Sequence, residues 1–260
     1  MKKTLSKHNQ KRGRRDKQPP TTKGADRNPS LDSLRGLAIL LMVLDHVAFL
    51  FGDVRIEPTT IRMATRLSMP LFAVLMGYFL SRSTRVHWER FWQLTAAACL
   101  MSFVYFSLYR QLEILASLWV CYLLFTGARR VFAFLFVAVF FYAWDPSTQF
   151  LENPLFDYPI SLVVSCVSQG VILQRYGMRV AFATSLMVLP ATQAWAGAVY
   201  VEEPTQYVLY FVPLAVLLVG LGTTRPQWNN ASLALLGRYP LTAYIVQYLT
   251  LFALAGRLSL

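Results

Sequence analysis

Leu34-Arg35-Gly36-Leu37-Ala38-Ile39-Leu40-Leu41-Met42-Val43-Leu44-Asp45-His46-Val47-Ala48-Phe49-Leu50-Phe51-Gly52 is one apolar run, broken by Arg35 at its start and by Asp45 and His46 deeper in. At 1.5 Å per residue it is long enough to cross a bilayer, which takes about 17–25 helical residues. A second run over 61–81 carries Arg62 near its edge and Arg66 further in. Ionisable groups inside such runs are costly to keep in a bilayer and mark function by default. Asp45, His46 and Arg66 are therefore the first candidates for a catalytic site, and the rest of the chain reads as scaffold around them.

Helical geometry relates these residues. Arg35 and His46 are eleven positions apart, which returns the helix to within about 20° of the same face, roughly 16 Å further along the axis. Asp45 is turned about 100° from His46, so the two neighbours do not face each other. The second run returns in the opposite direction and brings Arg66 to the depth of Asp45. An Asp45–Arg66 ion pair is expected, with His46 left free to act.

More than half of the 260 residues are hydrophobic, at 55%, and the mean hydropathy is positive. This is the composition of an all-α, polytopic membrane protein rather than of a soluble domain with one core. The formal charge of +12 does not indicate nucleic acid, because most of it lies in one place. Residues 1–30 hold every lysine and a net +8, with Pro19-Pro20 and no apolar periodicity. They read as a disordered basic cytoplasmic tail that can touch anionic lipid, followed by a single membrane domain over 31–260. No cleavable signal peptide is evident. Cys99, Cys121 and Cys166 fall inside apolar segments with no metal-ligand spacing, so no metal is expected.

Hydropathy gives about nine spans, over 34–52, 61–81, 91–109, 112–127, 131–144, 159–174, 179–196, 206–222 and 239–256. With the tail in the cytoplasm, the connections on its side hold Arg82, Arg85, Arg90, Arg129, Arg130, Arg175, Arg179, Arg225 and Arg238. The opposite side holds Asp53, Glu57, Asp145, Glu152, Asp157, Glu202 and Glu203, with Arg55, Arg62, Arg110 and Arg257 as exceptions. That asymmetry supports nine crossings with the N-terminus inside.

The stripe shared by Arg35 and His46 has a chemical use. An acyl-CoA donor is anionic at one end and carries a thioester at the other. Arg35, helped by Arg82 and Arg85, could hold the phosphates, while His46 three turns deeper acts as general base on an amine or hydroxyl. The plain readings stand beside this one: His46 as a helix–helix bond, Arg82 and Arg85 as ordinary cytoplasmic-side charges. Pro70 should kink the second span or free a carbonyl near Arg66. Tyr78, beside the small Gly77, and Tyr244 with Gln247 in the last span either line the same cavity or bond neighbouring helices.

Leu37 to His46, with Arg66-Leu67-Ser68-Met69-Pro70-Leu71-Phe72-Ala73, resembles the TraX family, inner-membrane proteins linked to N-terminal acetylation of conjugative pilin. The likeness continues weakly through Leu80-Ser81-Arg82, Leu112 to Leu115 and the final span. Leu31-Asp32-Ser33-Leu34-Arg35-Gly36, with ten residues between Arg35 and His46, is also similar to the transmembrane acyltransferases that O-acetylate surface sugars. The resemblance implies a multi-pass protein of the bacterial inner membrane. It would take acetyl-CoA from the cytoplasm and meet a pilin or glycan acceptor from the other side. The final span of such proteins often carries a histidine where this chain has Gln247. The rival is a non-enzymatic membrane subunit or permease in which Asp45, His46 and Arg66 form a structural cluster.

Reporter fusions test the orientation. Fusions within 1–30 and 82–90 are expected to report cytoplasm and fusions within 145–158 the opposite side; a cytoplasmic report at 145–158 overturns the span count.

Overall fold

A computed structural model of the chain describes residues 28–51, 60–83, 87–138, 155–158, 160–189 and 208–256. The basic tail through residue 27, Arg85, residues 139–154 and the end of the seventh run lie outside them. The described residues are all-α, with no strand and one isolated bridge between Leu112 and Phe156. The helices are α1 (Pro29–Phe51), α2 (Thr60–Thr65), α3 (Ser68–Arg82), α4 (Trp88–Tyr109), α5 (Ile114–Gly127), α6 (Ile160–Leu186), α7 (Val212–Thr224), α8 (Ala231–Arg238) and α9 (Pro240–Leu254). A 3-10 helix covers Phe132–Val137, where the fifth run was expected to open as a span.

Three helical stretches, Pro29–Phe51, Met63–Arg82 (the end of α2 continuing into α3) and Trp88–Tyr109, are long and apolar enough to cross a membrane, and Ile114–Gly127, Val208–Thr224 and Pro240–Leu254 are shorter apolar helices. Large apolar side chains face outward on the long ones, Leu40, Leu44 and Phe51 on α1 and Phe103 on α4, the last 79% exposed. An apolar face this open suits lipid and not water.

The sequence signals explain where helices begin and break. Asn28 caps α1 by accepting from the Ser30 N–H at 3.0 Å, and Pro29 takes the first helical position, where its missing N–H costs nothing. Glu113 caps α5 by accepting from Leu115 N–H at 2.8 Å. The second run is one hydropathy peak but two helices: Arg66 and Leu67 form a turn between α2 and α3. Pro70 has no N–H to give the Arg66 carbonyl four residues back, so the ladder restarts with Leu71 N–H on Leu67 O at 3.1 Å. Through the turn itself the bonding tightens, with Arg66 N–H on Met63 O at 3.2 Å and Leu67 N–H on Ala64 O at 3.3 Å.

The sixth and seventh runs meet at Gly177, whose φ of 84° and ψ of 175° are not helical. The chain doubles back there. Thr184 donates to Gln169 Oε1 at 2.9 Å, although the two would stand about 22 Å apart on a straight helix.

The core sits where α3 crosses the first limb of α6. Val74, Val163, Val167 and Val171 are all fully buried, and two glycines set the approach. A Cβ on Gly77 would lie 1.9 Å from Val167 O, and one on Gly170 would lie 2.0 Å from Val74 O. A second close crossing joins α1 to α8, where a Cβ on Gly36 would strike Leu233 O and one on Gly237 would strike Asp32 O. Backbone contact of this kind is how membrane helices associate when the surroundings are as apolar as they are.

Gly77→Val is expected to lower the thermal midpoint of the purified protein in detergent, by a loss of at least about 1–3 kcal/mol from overpacking. Gly127→Ala, which meets no atom within 4 Å, should stay within about 0.5 kcal/mol. Equal midpoints for the two variants would remove the crossing from the account.

Candidate functional site

Helices α1, α3, α4, α5 and α9 surround a cavity of about 1960 Å³. Its two ends are fixed by contacts between antiparallel elements. At one end Arg35 stacks over the Phe79 ring, 3.9 Å from its centroid. Arg129 donates to the Ser83 carbonyl, and Gly237 abuts Asp32. At the other end Asp45 meets Thr65 and Arg66, and Leu112 bonds Leu155 and Asp157 through its backbone at 2.6 and 2.9 Å.

The far end is built around Asp45. Its Oδ1 accepts from the Thr65 hydroxyl at 2.7 Å, and its Oδ2 lies 3.6 Å from Arg66 Nη1. The same Nη1 donates to the Tyr158 hydroxyl at 2.9 Å. Burial pushes the Tyr158 phenol up to about 12, against the pull of the Arg66 guanidinium, so Tyr158 stays neutral and serves as acceptor. The expected Asp45–Arg66 pair is therefore present, inside a chain that runs from α1 to α6.

His46 is outside that chain. Its Nδ1 is buried with no hydrogen-bond partner, and its ring meets Tyr248 edge to face, 5.4 Å between centroids at 85°. His46 and Arg35 both line the cavity, so the shared stripe predicted from spacing faces one space. Arg35 Nη1 donates to Asp32 Oδ1 at 2.9 Å, which fixes the guanidinium at the mouth. Arg82 also lines this mouth.

Two candidates are not in the wall. Tyr78 is on the face of α3 that packs against α6, where its N lies 2.7 Å from a Cβ placed on Gly170; the lining of α3 comes from the opposite stripe, Phe72, Met76 and Phe79. Gln247 is not among the lining residues either. Tyr244, Tyr248 and Phe252 form that stripe of α9, and Gln247, 60° off Tyr244 by helical spacing, buries both amide atoms without a partner. Spacing of three places side chains near one another, but it is too coarse to put both on a narrow wall.

The structure also brings in residues that sequence reasoning passed over. Glu113 is 3% exposed, lines the cavity and accepts the Tyr244 hydroxyl. Tyr105 donates to Asp157 at 3.0 Å. Tyr248 stacks on Phe252 at 4.3 Å and 10°, and its hydroxyl is buried without a partner. A signal for Glu113 was available: it falls inside the 112–127 run, where the rule that singled out Asp45 applies equally. Asp157 and Tyr158 precede an apolar run and carry no such signal.

The arrangement offers a basic mouth, an imidazole partway down one wall, and an aromatic and acidic far end. Residues 28–116, about a third of the chain, match the family model described as an acyltransferase domain. The matched stretch holds Arg35, Asp45, His46, Arg66 and Glu113, and the match supports a membrane acyltransferase. No curated protein and no solved structure matches the chain.

If Asp45 and Arg66 neutralise each other, losing either alone strands a charge, a loss of about 3 kcal/mol for a pair this enclosed. Arg66→Gln should then give less folded protein by size-exclusion chromatography than Asp45→Asn combined with Arg66→Gln. Equal yields from the single and double variants would argue that the pair contributes nothing.

Proposed function

We propose that this chain is an integral-membrane acetyltransferase of the bacterial inner membrane. It would move an acetyl group from cytoplasmic acetyl-CoA to an acceptor that enters from the opposite side, a pilin N-terminus or a surface or periplasmic glycan. The observation that carries this reading is the single cavity joining the arginine mouth to His46. The rise of about 16 Å between Arg35 and His46 is comparable to an extended pantetheine arm, so phosphates held at the mouth would present the thioester near the imidazole.

In this reading His46 takes the proton from the acceptor amine or hydroxyl as that atom attacks the thioester carbonyl. The carbon–sulfur bond breaks, and the leaving thiolate takes the proton back from the imidazolium. Holding both partners in one enclosed space supplies much of the acceleration by itself. Asp45 and Arg66 act at one remove: by tying α1 to the turn before α3, they fix the height and rotation of His46. The reading does not need a second histidine in the last helix, because His46 and the thioester close the proton circuit between them.

His46→Ala is expected to lower acetyl transfer by about 10²–10⁴-fold while the protein still folds and binds CoA. Arg35→Ala should instead weaken donor binding, with turnover at saturation less affected. The measurement is acetyl-CoA binding and acetyl release by purified variants in nanodiscs. Under the rival reading of a structural cluster, both substitutions lower the yield of folded protein alike, and full transfer by His46→Ala removes the general-base role.

A further inference from the structure

Among the described residues, polar side-chain atoms of His46, Ser102, Gln169, Gln247 and Tyr248 are buried without a hydrogen-bond partner. Ser102, Gln169 and Gln247 are not in the cavity wall, whereas His46 and Tyr248 line it. These two also meet, edge to face, with 5.4 Å between ring centroids. A polar group buried without a partner gives up its hydration and gains nothing in exchange. Where two such groups adjoin on the wall of one cavity, the natural partner is what the cavity binds.

Tyr248 is 1% exposed, and its neighbours hold the ring. It stacks on Phe252 at 4.3 Å and 10° and lies nearly parallel to Tyr244, 6.3 Å away at 18°. Tyr105 of α4 closes a third side, its ring centroid 6.3 Å off. Residues 244, 248 and 252 follow one another at intervals of four, so a single stripe of α9 carries the stack. The other hydroxyl donors of this end are spent on resident carboxylates: Tyr244 on Glu113, Tyr105 on Asp157 and Thr65 on Asp45. Arg66 has N–H groups beyond Nη1, but it is drawn to Asp45, which lies about 100° round α1 from His46. Tyr248 is therefore the fixed donor beside the imidazole whose hydrogen bond is unmade.

We propose that Tyr248 is a catalytic residue whose O–H donates to the carbonyl oxygen of the donor thioester and stabilises the oxyanion that forms there. The proposal rests on the acetyltransferase reading. As the acceptor nitrogen or oxygen bonds to the carbonyl carbon, its proton passes to His46 and the carbonyl π pair moves onto oxygen. That oxygen then carries a full negative charge among aromatic and apolar side chains, where a donor fixed in advance is worth more than one in water. The pair returns to re-form the carbonyl, the carbon–sulfur bond breaks, and the leaving thiolate takes the proton from His46. Tyr248 keeps its own proton throughout. The two adjoining side chains divide the work: the imidazole carries the proton and the phenol holds the charge on oxygen.

Tyr248→Phe tests this, because it removes the oxygen and keeps the ring that packs on His46 and Phe252. The full chain in nanodiscs is given acetyl-CoA, and CoA release is followed with a peptide bearing a free N-terminus, with glucosamine and with water alone as acceptors. All three attacks pass through the same oxyanion. In the variant kcat is expected to fall about 10²–10³-fold. The KM for acetyl-CoA, the pH profile of kcat and the thermal midpoint should match those of the unsubstituted protein. A fall in kcat of less than about tenfold overturns the proposal and leaves the acetyltransferase reading standing. A displaced pH profile overturns it too, because Tyr248 would then act through His46. So does a Tyr248→Phe protein that does not fold, because the hydroxyl would then hold a structural bond rather than an unmade one. Absence of CoA release by the unsubstituted protein with every acceptor overturns the role and the acetyltransferase reading together.

Discussion

A carboxylate placed in an apolar helix must find a cation and a hydrogen-bond donor, and much of this molecule follows from how Asp45 does so. The Thr65 hydroxyl at the end of α2 and the Arg66 guanidinium in the turn that follows both reach it. Pro70 follows in the first turn of α3, where it offers no N–H to Arg66 O. Arg66 then has donors left over, and one engages Tyr158 just before α6. One half-buried carboxylate therefore ties α1 to the end of α2 and, through Arg66, to the connection before α6.

The consequence for His46 is indirect. Because Asp45 is engaged sideways, the adjoining residue, a third of a turn round, is directed into the cavity with no acidic partner orienting it. The aromatic ladder of α9 takes over part of that role. Tyr248 meets the imidazole edge-on and is itself held by Phe252 on one side and Tyr244 on the other. The imidazole is thus seated against rings rather than against a carboxylate.

How far the sequence could be read depends on the length scale of each signal. The apolar runs, the caps at Asn28 and Glu113 and the break at Pro70 are local, and local chemistry decides them. The Arg35–His46 stripe and the Asp45–Arg66 pair needed only helical periodicity and antiparallel neighbours. Tyr78 and Gln247 stayed open between cavity and helix packing because the side of a helix that faces a cavity is chosen by its neighbour: Gly77 and Gly170 pull one face of α3 onto α6, which leaves the Phe72–Met76–Phe79 face for the cavity. Asp157 and Tyr158 were illegible for a related reason. They reach the site from the connection before α6, brought there by backbone bonds to Leu112 that no hydropathy profile contains.

The same long-range packing explains why the cavity exists at all. The fully buried side chains of the α3–α6 crossing, Val74, Val167 and Val171 among them, and the α1–α8 crossing at Gly36 and Gly237 draw backbones into contact on the outer sides of α1 and α3. What those helices turn towards α4, α5 and α9 is a set of larger and more polar side chains, Arg35, His46, Phe72 and Phe79, that cannot close to the same distance. Tight packing on one side thus leaves space on the other. The charges divide along that space by the chain's own directionality. At one side α3 and α8 finish in Arg82 and Arg238 and Arg129 follows α5, while the turns at the other carry Glu113 and Asp157. Under the proposed acetyltransferase reading, a donor anionic at one end and neutral at the other would enter with its anionic end held at these arginines.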